Sequence, residues 1–281
     1  MLIGSGVAAQ DVYRSAIEAF RAKREADLKA DDGWLALAGL HWLKDGENRI
    51  GSAADNDLVL PKSAPAQLGV IEQAAGKARL RLAPGAHASI AGQPIDAPRE
   101  LRPGAKPEIV ELGAVSFFLI QRDKRNAIRV RDKDSQVRRD FKGLAWFSID
   151  PAARVVGRFT PHAEPRKIPI PNIIGYVSEM KTPGVVSFRI AGRELTLEPV
   201  FETPEEDELF FIFKDRTAGK ETYGAGRFLY AELPKDGVVV LDFNRAYSPP
   251  CAYTPYATCP LPPKQNVLGV RIEAGEKFSG H

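Results

Sequence analysis

Apolar and polar positions alternate in short runs along most of this chain, and a helical period appears once. From Asp11 to Leu28 the apolar residues Tyr13, Ile17, Phe20 and Leu28 recur at near-helical spacing, with Arg21, Lys23 and Arg24 mostly outward. Asp11 is placed to cap this helix, because a carboxylate accepts from the unpaired N–H groups of a first turn. A dense apolar block follows from Trp34 to Leu43, holding two of the three tryptophans and His41. A lone histidine in such a block reads as a core residue before it reads as a ligand. From about Asn48 to Val130, strands are predicted at Asp57–Leu60, Gly69–Glu72, Ala78–Leu82, Ser89–Ile90, Val115–Gln121 and Ala127–Arg131. Pro84-Gly85, Gly92 and Pro103-Gly104 punctuate them, and short strands at regular spacing predict a β-sandwich.

A second series starts after Phe141. Leu144–Phe147, Val155–Phe159, Val185–Ile190, Glu194–Leu197, Leu209–Phe213, Arg227–Glu232 and Val238–Phe243 read as strands, and Val267–Ile272 closes the set. Pro161, Pro165, Pro169 and Pro171 exclude a helix between Thr160 and Ile173 and predict an edge segment or a crossing loop. Taken as antiparallel, these strands predict a closed or nearly closed barrel. The expected fold is therefore all-β with an N-terminal helix. Residues 1–44 form a tail, helix and apolar segment, 45–135 a β-sandwich, and 136–281 a barrel-like β domain with a polar pocket and a cysteine loop.

Composition changes little in this picture. An apolar content of 44% and a charged content of 27% are those of a globular chain, and 22 Pro with 24 Gly fit a turn-rich fold. A formal charge of +3 does not call for nucleic acid. No apolar run is long enough for a membrane-spanning helix. Leu2 to Ala9 ends in small residues like the tail of an export signal but lacks a basic start and a long apolar core. It reads as a trimmed export signal, with a periplasmic or cell-envelope protein implied, or as the tail of a cytoplasmic one. Gln121 to Lys142 carries nine Lys or Arg against four Asp. It reads as a solvated, self-compensating strip or as an anion-binding one.

Candidate chemistry concentrates between Leu209 and Lys277. Asp215, Thr217, Thr222 and Arg227 follow or enter strongly apolar strands, and polar groups beside buried strands must be paired or must hold something. An inward Arg227 needs a carboxylate, and Asp215 and Asp242 are the candidates. The same pattern places a ligand site on Arg227, Asp242, Asn244, Tyr247 and Tyr253, because Arg binds carboxylate or phosphate bidentately and the tyrosines can stack. Asp215 and Asp242 are also the candidate catalytic bases. Cys251 and Cys259, with seven residues between them and six prolines from Pro249 to Pro263, predict a disulfide that contributes roughly 2.6 kcal/mol. A reduced structural pair and a reactive or metal-linked thiol are the alternatives. No metal site or cofactor is predicted, since nucleophile-elbow, phosphate-loop and zincin motifs are absent.

Two stretches resemble known families. Ile50-Gly51-Ser52 followed by Asn56-Asp57-Leu58-Val59-Leu60 resembles the opening of a forkhead-associated domain. That resemblance implies a phosphothreonine site built on an Arg after the glycine and a later Ser-Arg-x-His. Ser52 replaces the Arg, and Ser63–Leu68 has neither Arg nor His, so shape alone is implied and phosphopeptide binding is not expected. Gly143-Leu144-Ala145-Trp146-Phe147, Leu209–Asp215, Thr222-Tyr223, Gly226–Leu229, Leu241–Tyr247 and Pro249-Pro250-Cys251 through Pro263 resemble the family called domain of unknown function 1684. Trp34-Leu35 and Gly39–Trp42 resemble its opening. The resemblance implies export for many members and no established activity. Three readings follow: a binding module for a small anionic or polar ligand, a hydrolase using an Asp base or Cys chemistry, or a structural or interaction protein.

Overall fold

The computed structural model describes residues 4–104, 106–203 and 205–278. The chain divides into two compact units, Met1–Ala26 with Lys142–His281, and Asp27–Phe141. Helix α1 runs from Gly4 to Lys29. It starts before Asp11, so that residue lies inside the helix rather than capping it; Ala8 and Ala9 are strong helix formers that carry the period further back. Leu2 and Ile3 of the leader-like stretch lie outside the described residues, and Gly4 to Ala9 are helical.

The unit Asp27–Phe141 contains β1 (Leu37–Trp42), β2 (Gly46–Gly51), β3 (Leu58–Val59), β4 (Gly69–Ala74), β5 (Lys77–Leu82), β6 (Ser89–Ile90), β7 (Gln93–Pro94), β8 (Arg99–Leu101), β9 (Val110–Leu112), β10 (Val115–Arg122) and β11 (Arg125–Asp132). A short helix, α2 (Gln136–Asp140), follows. One sheet has the order β1-β11-β10-β9-β6-β7 and the other β3-β2-β4-β5-β8. Ile50, Ile71 and Leu80 from one sheet share a core with Phe117, Leu119, Ile128 and Val130 from the other. The period-two alternation of each strand supplies these inward side chains, and the two apolar faces bury each other as a sandwich. Where a phosphate-reading arginine would stand, Ser52 Oγ donates to Ala64 O at 2.7 Å and closes its own loop.

The other unit is built on α1 and on β12 (Ala145–Trp146), β13 (Arg154–Pro171), β14 (Val177–Ile190), β15 (Arg193–Leu197), β16 (Glu208–Phe213), β17 (Arg227–Glu232), β18 (Val238–Asp242) and β19 (Glu276–Lys277). Its sheets are β15-β14-β13-β18, β16-β17 and β12-β19. Among the described residues none closes into a barrel, which corrects that expectation. The reason lies in Val267–Ile272. Leu268, Val270, Ile272 and Ala274 are buried in strict alternation, yet the segment makes only an isolated bridge, Val267 with Lys214. Backbone bonds join Leu268 N–H to Lys214 O and Arg216 N–H to Val270 O, and side chains take over at Ile272. The core fills instead with Phe188, Leu209, Phe211, Phe213, Leu229, Leu241 and Phe243.

The prolines between Thr160 and Ile173 lie in a strand. β18 covers β13 only from Arg154 to Arg158. Beyond that point β13 has one ladder neighbour, β14, and a missing donor on its open side costs nothing. The ladder breaks between Pro161 and Arg166, and Gly184 stands opposite Pro161. A Cβ at Gly184 would lie 2.4 Å from Thr160 O and 2.8 Å from Pro161 Cα. Gly184→Ala is therefore expected to lower stability by about 1–3 kcal/mol, read from a urea denaturation midpoint; an unchanged midpoint would show that the irregularity absorbs the methyl group.

Candidate functional site

The structure separates the predicted site residues into an interior lock and a surface cleft. Arg227, on β17, is 1% exposed and pairs with Asp215 at 3.2 Å. Its guanidinium also donates to Ile272 O at 3.0 Å and to Ala274 O, and lies 5.2 Å from the Phe213 ring centroid. Asp215 accepts from Thr217 Oγ1 at 2.7 Å through Oδ1 and from the Ile272 N–H at 2.7 Å through Oδ2. Burial pulls the Arg227 guanidinium below its ordinary value, and Asp215 opposes that pull. Pairing of this kind is what keeps a buried arginine tolerable. Asp215 has no oxygen left free to serve as a base.

Asn244 and Asp242 form a second lock where β18 runs into the single turn Phe243–Arg245. Tyr13 Oη of α1 donates to Asp242 Oδ1 at 2.8 Å, and Asn244 Nδ2 donates to Tyr13 Oη at 2.9 Å and to Asp150 O at 2.7 Å. Burial, followed by the Asp242 hydrogen bond and charge, pushes the Tyr13 phenol to about 12. Sequence reasoning placed Tyr13 only on an apolar helix face. Its distance of 229 positions from Asp242 left no local signal for the pairing.

Tyr247 and Tyr253 belong to a third group centred on Glu276, which is fully buried. Glu276 accepts from the Ser248 N–H at 3.1 Å and from Tyr253 Oη, with Arg24 Nε at 3.5 Å. Arg24 donates to Ser248 O at 2.9 Å and lies 4.5 Å from the Tyr247 ring centroid. Burial raises both phenols, and Glu276 raises that of Tyr253 further. A fourth group joins Glu198 Oε1 to His162 Nε2 at 2.9 Å and to Arg166 at 2.6 Å, with Gln265 donating to Oε2 at 2.8 Å. Thr182 Oγ1 approaches that same His162 nitrogen at 3.5 Å. One nitrogen facing both a hydroxyl and a carboxylate cannot relay a proton between them, so this is not a triad.

Cys251 and Cys259 are free thiols. The disulfide expected from their spacing is corrected by this geometry: Cys259 Sγ accepts the Cys251 N–H at 3.2 Å, and Tyr223 Oη donates to Cys251 O at 3.0 Å. Hydrogen bonding and the prolines hold the loop without a covalent bridge. The Cys259 contact keeps the Cys251 thiol below its ordinary range against burial. Support for export from a cysteine bridge falls away with it. No group of three or more His, Cys, Asp or Glu among the described residues is arranged to hold a metal ion. No helix among them is long and apolar enough to cross a membrane.

Of the predicted ligand residues, Asp242 reaches a cleft. It measures about 450 Å3 and is lined by Tyr13, Arg154, Tyr230, Lys235, Asp242 and Arg245 among others. Arg154 stands opposite Asp242 in the β13–β18 ladder, so the two share one face of the sheet. Arg245 approaches Asp242 Oδ2 at 3.6 Å, and Lys235 pairs with Glu232 at 2.6 Å. Val238 and Val240, both exposed, add apolar surface beside these charges.

Residues 139–277 match the family described as "Protein of unknown function (DUF1684)". The match starts beyond Trp34–Trp42, where the sequence resembles the family's opening. An uncharacterised protein of Haloarcula marismortui, solved by solution NMR, is 35% identical over 50% of this chain and 78% of its own, with a TM-score of 0.43. The FhaA FHA domain, solved with the intracellular domain of a second protein, is 19% identical over 33% of this chain and 97% of its own, with a TM-score of 0.24. An FHA domain solved in a study of phosphothreonine-dependent interactions has the same identity, coverage of this chain and TM-score, over 92% of its own length. No curated protein matches the chain.

Two outcomes are expected from these locks. Arg227→Met leaves Asp215 buried without its cation and should cost about 3–5 kcal/mol in a denaturant titration. A loss below about 1 kcal/mol, the scale of exposed pairs, would mean that water reaches the site. Protein unfolded without reductant should yield two thiols to a colorimetric reagent, and a yield of none would restore the bridge.

Proposed function

We propose, for a chain that belongs through residues 139–277 to the DUF1684 family, that its C-terminal unit is a binding module for a small anionic ligand. The ligand lies in the cleft over the β13–β18 face, with Arg154 as its anchor. One observation supports this reading above the others. Among the described residues, Arg154 has no carboxylate within ion-pair distance, whereas the other charged side chains of the cleft are paired, Arg245 with Asp242 and Lys235 with Glu232. An open guanidinium beside hydroxyls and valines suits a carboxylate or phosphate with a small apolar body.

The remaining predicted residues act as framework in this reading. Asn244 fixes Tyr13 and Asp242, Arg227 fixes β17, and Tyr247 with Tyr253 seats α1, whose Tyr13 forms one wall. Hydrolysis has less support. Asp215 is buried with both oxygens engaged by Thr217, Arg227 and Ile272, and Asp242 already accepts from Tyr13 and the Asn244 N–H. An envelope location now rests on the leader-like stretch Leu2–Ala9 and on the family resemblance.

Calorimetry with citrate and with inorganic phosphate tests the proposal. At least one is expected to bind the wild-type chain, and Arg154→Gln should weaken it about tenfold or more, the scale of a lost charge-assisted bond. Equal affinity in the variant, or binding of neither anion, would remove the cleft from consideration.

A further inference from the structure

The outer face of the sheet β15-β14-β13-β18 carries a second open arginine beyond the Arg154 cleft. Alternation along β13 turns Ala153, Val155 and Phe159 into the core and leaves Arg154, Val156 and Arg158 outward and exposed. On β18 it turns Val239 and Leu241 inward and leaves Val238, Val240 and Asp242 on the outer face. The register sets Arg154 opposite Asp242, Val156 opposite Val240 and Arg158 opposite Val238. Along the strand the face therefore reads arginine, a valine pair, arginine.

Two open charges bracket an apolar floor. Val156 is 63% exposed, Val238 41% and Val240 36%, and their places on paired strands gather the three into one patch. Apolar side chains gathered in this way, unlike scattered ones, mark a surface that something covers. Arg158, like Arg154, takes part in no ion pair among the described residues. Asp242 is already held by Tyr13, the Asn244 N–H and Arg245. Glu194 stands opposite Arg189 at the other edge of the sheet, and Glu232 pairs with Lys235.

The spacing sets the kind of anion. Four residues of strand separate the two arginine Cα atoms by about 13 Å, at roughly 3.3 Å per residue. A small oxyanion engages one arginine, whereas a molecule with an acid at each end engages both and lays its middle on the valines. One guanidinium at each end balances one carboxylate, whose two oxygens match the planar fork. Arg154 lies at the Tyr13 end of the cleft, where its charge acts on the phenol, and Val238 carries the floor on toward Arg158. We propose, resting on the Arg154 reading above, that the ligand of this face is an elongated dicarboxylate. Arg154 and Arg158 hold its two ends, and Val156, Val238 and Val240 support the apolar chain between them. Arg158 thereby determines specificity, selecting a second charge at a set distance from the first.

Calorimetric titration of the full chain with suberate, octanoate and succinate tests it. Suberate is expected to bind about tenfold or more tighter than octanoate, which lacks the second charge, and than succinate, which is too short to span the arginines. Arg158→Gln should bring suberate to the affinity of octanoate and leave octanoate within about threefold, whereas Arg154→Gln should weaken both. Both arginines are exposed, so neither variant threatens the fold. Suberate that binds no tighter than octanoate or succinate, or that is indifferent to Arg158→Gln, overturns the two-anchor reading and leaves the Arg154 cleft standing. If none of the three acids binds at about 10 mM, a concentration above millimolar affinities, the dicarboxylate falls, and the Arg154 cleft is then judged on citrate and phosphate alone. If suberate binds and Arg154→Gln changes nothing, both fall together. Self-association in analytical ultracentrifugation that Val156→Asp disperses would assign the valines to a second copy of the chain and overturn the proposal as well.

Discussion

The C-terminal unit depends on one buried ion pair, Arg227 with Asp215. Together the two side chains meet the backbone of Ile272 on both its N–H and its C=O and hold the carbonyl of Ala274 as well. They continue at Ile272 and Ala274 what the Lys214–Arg216 backbone does for Leu268 and Val270, because buried backbone groups must find partners somewhere. The alternating apolar residues of that segment can then complete the core without a ladder beyond one bridge. A salt bridge of this kind is poor evidence for net stability, since a hydrophobic pair of similar shape can match it. What it supplies is position: β17, the turn after β16, and the last stretch of chain are fixed to one another.

A second constraint starts where the first ends. Gly275 adopts φ +82, a conformation that favours glycine, and a Cβ there would lie 2.4 Å from Ala246 O. The chain can therefore pass close to the Phe243–Ala246 backbone and deliver Glu276 to Arg24, Ser248 and Tyr253. Glu25 of α1 accepts from the Leu144 N–H at 2.8 Å, and Phe20 meets Trp146 edge-on at 6.2 Å. α1 thus has a polar line of anchors beside an apolar one, and Tyr13 is carried to Asp242 as a result. The wall of the Arg154 cleft is a product of how the helix is seated.

The architecture was legible in the sequence where a period persisted. The 3.6-residue spacing of Ile17, Phe20 and Leu28 marked the helix, and the alternation in Val115–Gln121 and Ala127–Arg131 marked the strands that form the centre of the sandwich. Period alone could not report what an extended segment pairs with. Val267–Ile272 alternates faultlessly, and its partners are the Lys214–Arg216 backbone and, at Ile272, the side chains of Asp215 and Arg227. The same limit applies to the site residues. Arg227 was expected to meet Asp215 or Asp242, and it meets Asp215, twelve positions away; Tyr13 and Arg154, which complete the cleft, had no neighbour in sequence to betray them. The cysteine spacing was compatible with a bridge, but compatibility of spacing says nothing about where the two sulfur atoms point.

The seating of α1 has a consequence for synthesis. Arg24 is made 252 residues before Glu276, an interval of roughly 13–50 s at ordinary elongation rates of 5–20 residues per second. Late in that interval the Asp27–Phe141 sandwich has been made in full, while Glu276, which anchors Arg24, is still missing. The nascent chain therefore carries a bare apolar helix ahead of a domain able to fold. Such a helix is the form of segment that chaperones hold.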